Sequence, residues 1–434
     1  MPKILDQLLS KTKTRMSKFK DVRKPSNAMK YSMETVGMGA LSVFIMQDPS
    51  FLSQQERLGN KSGMHNFETL FGCKEIPTPN HIRNLLDQVS PAECERIYHD
   101  GLEVLEQEGG LKKFQFLKDS YLIGLDGTEH YSSKSLHCNN CTVKTHGGIP
   151  TYSHSVLCAS ILSPGINEAI PLVPEFITPQ DGHDKQDCEN AAFKRWISKH
   201  GKTYKHLNPT ILGDDLFSRQ SLCKAMLKEH CNFILTCKPE SHKTLYEYLS
   251  GVKLEKYNLI LKKNYRKYLY QYKFLNQVPI RDGEDALLVN WLQITQIDAK
   301  SGKKIYSNSF ITNHHIYSEN VHDLAAAGRA RWKLENENNN TLKTKGYCFE
   351  HNYGHGKQNL CKILASLTVI AFLFHTVISI VDTLYLKARL KKRTRINFFN
   401  FIKCITSLII FSSWDKLFLF ISDPPDIGQT LGEF

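Results

Sequence analysis

Tyr121-Leu-Ile-Gly-Leu-Asp126-Gly-Thr-Glu129 is the stretch on which the reading of this chain turns. A short apolar run that breaks off at Asp-Gly suits a buried strand with an acid at its C-terminal mouth. The pattern returns at Asn208-Pro-Thr-Ile-Leu-Gly213, which runs into Asp214-Asp215. Thr151 to Leu162, closed by Ser163-Pro164-Gly165, and Phe233-Ile-Leu-Thr-Cys237 read as further strands. Helical spacing lies between them, from Asp187 to His200 (Cys188, Ala191, Ala192, Trp196, Ile197) and from Ser221 to Glu229. This alternation predicts an α/β fold, a mixed sheet flanked by helices, whose first part spans 116–250.

Outward from that core the character changes. Residues 1–30 carry Lys11, Lys13, Arg15, Lys18, Lys20, Arg23 and Lys24 against Asp6 and Asp21, a flexible or helical basic arm suited to phosphate contact. Residues 31–115 show helical spacing (Met38, Leu41, Phe44, Ile45; Ile82, Leu85, Leu86, Val89), with Thr78-Pro79-Asn80 as a cap, and form a helical domain. Residues 251–318 are β-rich, with a hairpin loop at Asp298-Ala-Lys-Ser-Gly302. In this insertion Trp291 or the Tyr268, Tyr270, Tyr272 row could stack on an unpaired base or simply pack a sheet. Residues 319–360 hold a helix that completes the core, and 361–434 are a C-terminal helical region.

The 434 residues allow two or three domains, and 56 Lys and Arg against 43 Asp and Glu leave +13, which favours a polyanionic partner. Twelve scattered cysteines, behind an N-terminus with no apolar core or cleavage site, point to reduced thiols in the cytoplasm. Ile363 to Val381 is almost continuously apolar over 19 residues, the length of a bilayer span. Lys362 and Asp382 bracket it closely, and it is expected to be a core helix, with His375 as a hydrogen-bonded core histidine. A Walker loop and a serine nucleophile elbow are both missing from the sequence, which argues against a nucleotide cofactor and against acyl transfer.

The third acid comes from Arg329-Ala-Arg-Trp-Lys-Leu-Glu335-Asn-Glu337-Asn-Asn-Asn-Thr-Leu-Lys343. Asp126 and Asp214 from strand ends, with Glu335 from a helix packed beside them, would make an all-oxygen site for two Mg²⁺ or Mn²⁺ ions. Asp215 is the rival for the second place and Glu337 for the third. Neighbours on a strand point oppositely, so Asp214 and Asp215 should not ligate together. Arg331, four residues before Glu335, shares its helix face. With Arg329, Lys343 and Lys357 it forms a candidate phosphate rim, or with Lys343 simply a solvated helix face, and Gly354-His-Gly-Lys357 could be a backbone nest for phosphate or the flexible end of the helix.

These motifs together resemble the DDE-type transposases of bacterial insertion sequences, from about residue 30 onward. The resemblance rests on Leu122-Ile-Gly-Leu-Asp126-Gly-Thr128, Ile211-Leu-Gly-Asp214-Asp-Leu-Phe217 and Arg331-Trp-Lys-Leu-Glu335. Pro174-Glu-Phe-Ile177, Gln180-Asp-Gly182, Lys185-Gln-Asp-Cys-Glu189 and Glu350-His-Asn-Tyr-Gly-His-Gly356 look like one branch of that family. It implies a ribonuclease-H-like core, Asp126, Asp214 and Glu335 as the metal-binding triad, a β-rich insertion before the last acid, and DNA binding by the helical domain 31–115 with the basic arm. Metal-dependent strand cleavage and strand transfer would act on double-stranded DNA, the terminal inverted repeats and the target, with a homodimer on DNA. Asp214 is preferred over Asp215 because Phe217 then falls where the family's aromatic does. The family's Tyr-Arg-Glu-Lys signature is matched only in part. Gly328 stands at the Tyr position, and Lys343 lies one residue too far from Glu335, an offset that a bulge in the helix would repair. The alternatives are a non-catalytic DNA-binding descendant and a membrane-anchored protein with structural acids.

His137-Cys138-Asn-Asn-Cys141, with His146 and His154 nearby, carries a separate signal. Cys-x-x-Cys with histidines offers borderline-soft ligands for zinc, and Cys138, Cys141, His137 and His146 are the candidate set. A reduced, metal-free loop is the alternative.

Overall fold

A computed structural model describes residues 4–25, 29–179 and 185–424. Its framework is an α/β arrangement built on one mixed sheet of twelve strands among the described residues. The strands are β1 (Gln115–Phe116), β2 (Ser120–Ser133), β3 (Thr142–His146), β4 (Ile149–Ser163), β5 (Ile166–Pro171) and β6 (Glu175–Ile177). They continue with β7 (Pro209–Gly213), β8 (Asn232–Thr236), β9 (Glu255–Lys263), β10 (Arg266–Pro279), β11 (Leu288–Asp298) and β12 (Lys304–Thr312). The order is β3-β4-β2-β7-β8-β12-β11-β10-β9, with β5 and β6 also along β4 and β1 on β2.

The two central strands explain their sequence. β7 and β8 run parallel to each other, and β7 runs parallel to β2. Every residue of β7 is buried. A strand covered on both faces reads as an unbroken apolar run, which Thr210-Ile-Leu does. Ile123, Leu125, Ile211 and Phe233 face a cluster with Phe193, Trp196 and Met226 from the helices Lys185–His200 and Gln220–Lys228. Leu122, Leu212 and Ile234 face the opposite cluster with Leu324 and Leu334.

The β-rich stretch is not a separate body. β9 to β12 form an antiparallel meander that joins the core through β12 against β8, Phe310 opposite Thr236. The sheet ends at β9, where exposed Lys256, Lys262 and Lys263 guard the outer edge. Trp291 and Tyr272 are 2% and 1% exposed, so they pack the sheet and are closed to a nucleic-acid base.

The terminal regions also differ from separate domains. Residues Ile4–Met16 form a helix that buries Leu5, Leu8, Leu9 and Met16. Arg15 makes a two-point pair with Asp100 at 2.7 and 2.9 Å, and Lys13 donates to the Gly72 carbonyl at 2.7 Å. The expected basic arm is therefore, over these residues, part of the helical core, because its apolar stripe outweighs its charges. From the far end of the chain, Thr406 and Ile409 accept hydrogen bonds from Asn66 at 2.7 Å each, and Trp414 donates to the Leu70 carbonyl at 2.9 Å. Between these lies the apolar helix Leu360–Val381, buried along most of its length. It lies against the helices Met33–Ile45 and Glu95–Gln107. It is long and apolar enough to cross a membrane, and protein covers it instead. Its single imidazole, His375, is bonded through Nδ1 to the Tyr347 hydroxyl at 2.8 Å.

Candidate active site at the strand ends

Asp126 lies inside β2, which runs on to Ser133, and Asp214 follows directly after β7. The register pairs Tyr121 with Pro209 through Gly124 with Leu212, and two further residues set Asp126 beside Asp214. β7 stops at Gly213, and the Asp214 carboxylate caps the 3₁₀ turn Asp215–Phe217 by accepting the Leu216 N–H at 3.0 Å. Alternation decides where the acids point. Asp126 has the parity of Leu122 and Asp214 that of Leu212, so both face the side of the sheet where Leu334 packs.

Glu335 arrives on the helix that covers this face. Gly124 clears its path, since a Cβ there would lie 2.7 Å from Leu162 Cδ1 and 3.3 Å from Leu334 Cδ2. From Leu334 to Asn339 the helix is π-helical. In an α-helix Lys343, eight residues on, would be turned about 80° from Glu335. The wider π turn absorbs one residue and reduces that offset. It also lets the consecutive Asn338 and Asn339 both turn inward. The Ser160 hydroxyl donates to Asn338 at 3.0 Å, Asn338 to Asn339 at 2.9 Å, and Asn339 Nδ2 to Asp126 Oδ2 at 3.1 Å. This relay fixes the first acid against the helix of the third.

The electrostatics are those of crowded acids around one cation. Burial pushes Asp126 up to about 7; Arg331 opposes this, while Glu335, Asp214 and Glu189 add to it. Asp214 is raised by burial, against the Leu216 N–H and Arg331. Arg331 itself pairs with Glu335 at 2.6 Å. Glu189, which the sequence reading named only inside a motif, lies against Gly127: a Cβ there would approach its carboxylate carbon to 3.0 Å. Of the motifs around it, Gln180-Asp-Gly182 and the side chains of residues 185–188 lie outside the described residues.

The rival acids have partners of their own. Asp215 accepts the Lys238 N–H at 2.6 Å and the Ser241 hydroxyl, and its charge adds to the rise of Asp214. Glu337 acts on Lys333, whose ammonium donates to the Ile166 carbonyl.

Of the expected phosphate rim, Arg331 and Lys343 lie near the acids. Lys343 pairs with Glu350 at 2.6 Å, and with Asp126 it acts on the buried Cys158 thiol. Arg329 does not belong with them. It stacks 4.3 Å over Tyr306 and donates to Gln296, facing the meander. Gly328 has no space for the signature's tyrosine, because a Cβ there would sit 2.8 Å from the Phe310 ring.

Beside the expected phosphate nest, the converging N–H groups belong to residues 357–360 and hold a carboxylate of the chain itself. The N–H groups of Lys357, Gln358, Asn359 and Leu360 donate to Asp87 at 2.9–3.0 Å, capping the apolar helix. Gly356, at φ +70°, is the residue a side chain could not replace, since its Cβ would collide with that carboxylate. Lys357 is thereby a backbone donor to Asp87 rather than part of the acid site.

Cys138 and Cys141 meet His154 and His355, with all four donor atoms within 4.8 Å of one another. His137 instead stacks on Tyr152 at 4.3 Å, and His146 is exposed at the end of β3. Spacing favoured the histidines nearest in sequence, whereas the fold supplies His154 across the strand pair and His355 from beyond the Glu335 helix. Compared with known protein families and with curated proteins, the chain matches none.

Proposed function

We propose that this chain is a DDE-type transposase, cutting and joining DNA at a site made by Asp126, Asp214 and Glu335. The observation that carries this reading is the mutual influence of the three acids: Glu335 and Asp214 both act on Asp126, while Arg331 acts on Asp126 and Asp214 and pairs with Glu335. The strand arrangement supports it. β5, β4 and β2 are successively antiparallel and β7 and β8 follow parallel to β2, with helices after β6 and β7, as expected of a ribonuclease-H-like core.

Carboxylate oxygens are the donors that hard divalent cations such as Mg²⁺ or Mn²⁺ take, so these ions are the ones the three acids would hold. Among the described residues, the group whose donor atoms already lie within 4.8 Å of one another is the Cys138, Cys141, His154, His355 cluster. Burial is the main cause of Asp126's raised value, and the neighbouring Glu335, Asp214 and Glu189 add negative charge that a bound cation would offset. When bound, a pair of these ions stabilises the attacking and leaving oxygens of an in-line phosphoryl displacement. The protein's own part is positional. Asp126 is held by Asn339, and Asp214 by the Leu216 N–H. Arg331, released from Glu335, and Lys343 from Glu350 would turn to the scissile phosphate and its neighbour. Double-stranded DNA as partner, a dimer on DNA and a cytoplasmic site of action belong to the same reading.

Purified full-length protein incubated with Mg²⁺ and DNA flanking its gene tests it. Cleavage at discrete ends that disappears in Asp126→Ala, with DNA binding intact, is expected. Cleavage surviving in that variant excludes the assignment.

A further inference from the structure

We propose that Cys138, Cys141, His154 and His355 form a closed, tetrahedral zinc site that fastens the segment after the Glu335 helix to the strand pair carrying Asp126. The separations carry the proposal. Cys138 Sγ and Cys141 Sγ are 3.9 Å apart, and His154 Nε2 and His355 Nε2 are 3.1 Å apart. Three of the four sulfur-to-nitrogen distances are 3.5 Å for Cys138 to His154, 3.3 Å for Cys141 to His154 and 3.4 Å for Cys141 to His355, and the fourth, Cys138 to His355, is within 4.8 Å. Zinc bonds of about 2.3 Å to sulfur and 2.0–2.1 Å to nitrogen give tetrahedron edges of about 3.8, 3.3 and 3.6 Å for S–S, N–N and S–N pairs.

The surroundings are built for coordination. Cys141 N–H donates to the Cys138 carbonyl at 3.1 Å, and Cys138 N–H donates to Cys141 Sγ at 3.4 Å, so the turn aims both sulfurs inward. His355 Nδ1 lies 2.9 Å from the Gly356 carbonyl, a bond that assigns the proton to Nδ1 and leaves Nε2 free to ligate. His154 and Cys141 are 3% and 5% exposed, and the Tyr131 ring lies 4.6 Å from His355. Two thiolates with two imidazoles select zinc over the hard cations suited to carboxylates. Four protein ligands leave no open position for water, so the site's role is structural.

The consequence is mechanical. His154 stands on β4 opposite Tyr131 of β2, in the strand pair of Asp126. His355 stands in the segment that follows Lys343 and Glu350. One ion would tie these pieces together across 201 residues of sequence.

Zinc content tests the proposal without DNA, so its outcome is separate from that of the cleavage reading. The full chain, purified under reducing conditions and desalted, is expected to carry about one zinc per chain by mass spectrometry. Cys141→Ser and His355→Ala should fall below about 0.2, while Asp126→Ala and His146→Ala stay at the wild-type value. Because the ligand variants could fail to fold, the wild-type chain reconstituted with cobalt provides a second measurement. Thiolate-to-cobalt charge transfer with tetrahedral d–d bands supports the site. An octahedral spectrum, zinc retained in both ligand variants, or no zinc and no cobalt uptake by the reduced chain overturns it.

Discussion

Asn339 donates its side-chain amide to Asp126 at 3.1 Å, and that contact joins the helix of the third acid to the strand of the first. Asn339→Ala removes the donor while leaving the three carboxylates in place. Strand cleavage is expected to fall about 10–100-fold, as for lost partners of metal ligands. Urea unfolding should show a stability loss of only about 1 kcal/mol. Unchanged cleavage would mean that Asp126 needs no positioning.

Asp126 titrates in the folded chain at about 7, pushed up chiefly by burial, against an unfolded value of 3.8. The folded state therefore holds the proton more tightly, so the group's contribution is fully present below the unfolded value. It is lost as pH rises through the folded value. In chelator at pH 8, Asp126→Asn is expected to unfold with about 1–3 kcal/mol more stability than the wild type. Adding Mn²⁺ should raise the wild-type melting temperature and leave the variant's unchanged. Equal melting at pH 8 in chelator would contradict the burial of this charge.

Gly328 presses on the Phe310 ring, so restoring the tyrosine of the family signature should harm the fold. Gly328→Tyr is expected to cost about 1–3 kcal/mol or more by overpacking. Phe310→Ala in the same chain should recover part of it, measured by thermal melting of all three variants. A stable Gly328→Tyr chain would place that helix face away from the sheet.

Asp87 gathers four backbone N–H groups, which hold its carboxyl below the usual range although burial pushes it up. A lowered folded value stabilises the chain above the unfolded value near 3.9, and that stability is lost as pH falls through the folded value. Asp87→Ala is expected to cost about 2–4 kcal/mol at pH 7 by orphaning the helix N-terminus. The cost should shrink towards pH 3. A difference that does not change with pH would show that the carboxylate's charge is not what the nest binds.

Much of this was legible because local pattern and tertiary demand agree. The apolar runs before Asp126 and Asp214 are buried strands, and Leu360–Val381 is apolar all round because protein surrounds it. The offset of Lys343 anticipated an irregular helix, and the helix is π-helical at Leu334–Asn339. What remained hidden depends on contacts distant in sequence. Nothing near Cys138 announces His355, and Gly-His-Gly-Lys reads as a phosphate nest until Asp87 is seen on the N–H groups of residues 357–360. At the N-terminus the basic residues lie on a helix, one of the two forms expected, and the buried face of Ile4–Met16 decides its place. Tyr272 and Trp291 have the composition of a stacking platform, and only the pairing of β10 with β11 shows them inside the sheet.

Manganese binding, followed by electron paramagnetic resonance on the purified full-length chain, reaches the three acids without requiring a DNA substrate. Wild type is expected to immobilise Mn²⁺, and Asp126→Asn, Asp214→Asn and Glu335→Gln should each weaken binding at least about tenfold. Asp215→Asn and Glu337→Gln should leave it unchanged. Undiminished Mn²⁺ binding in the triple variant Asp126→Asn, Asp214→Asn, Glu335→Gln would contradict a metal site shared by these three acids.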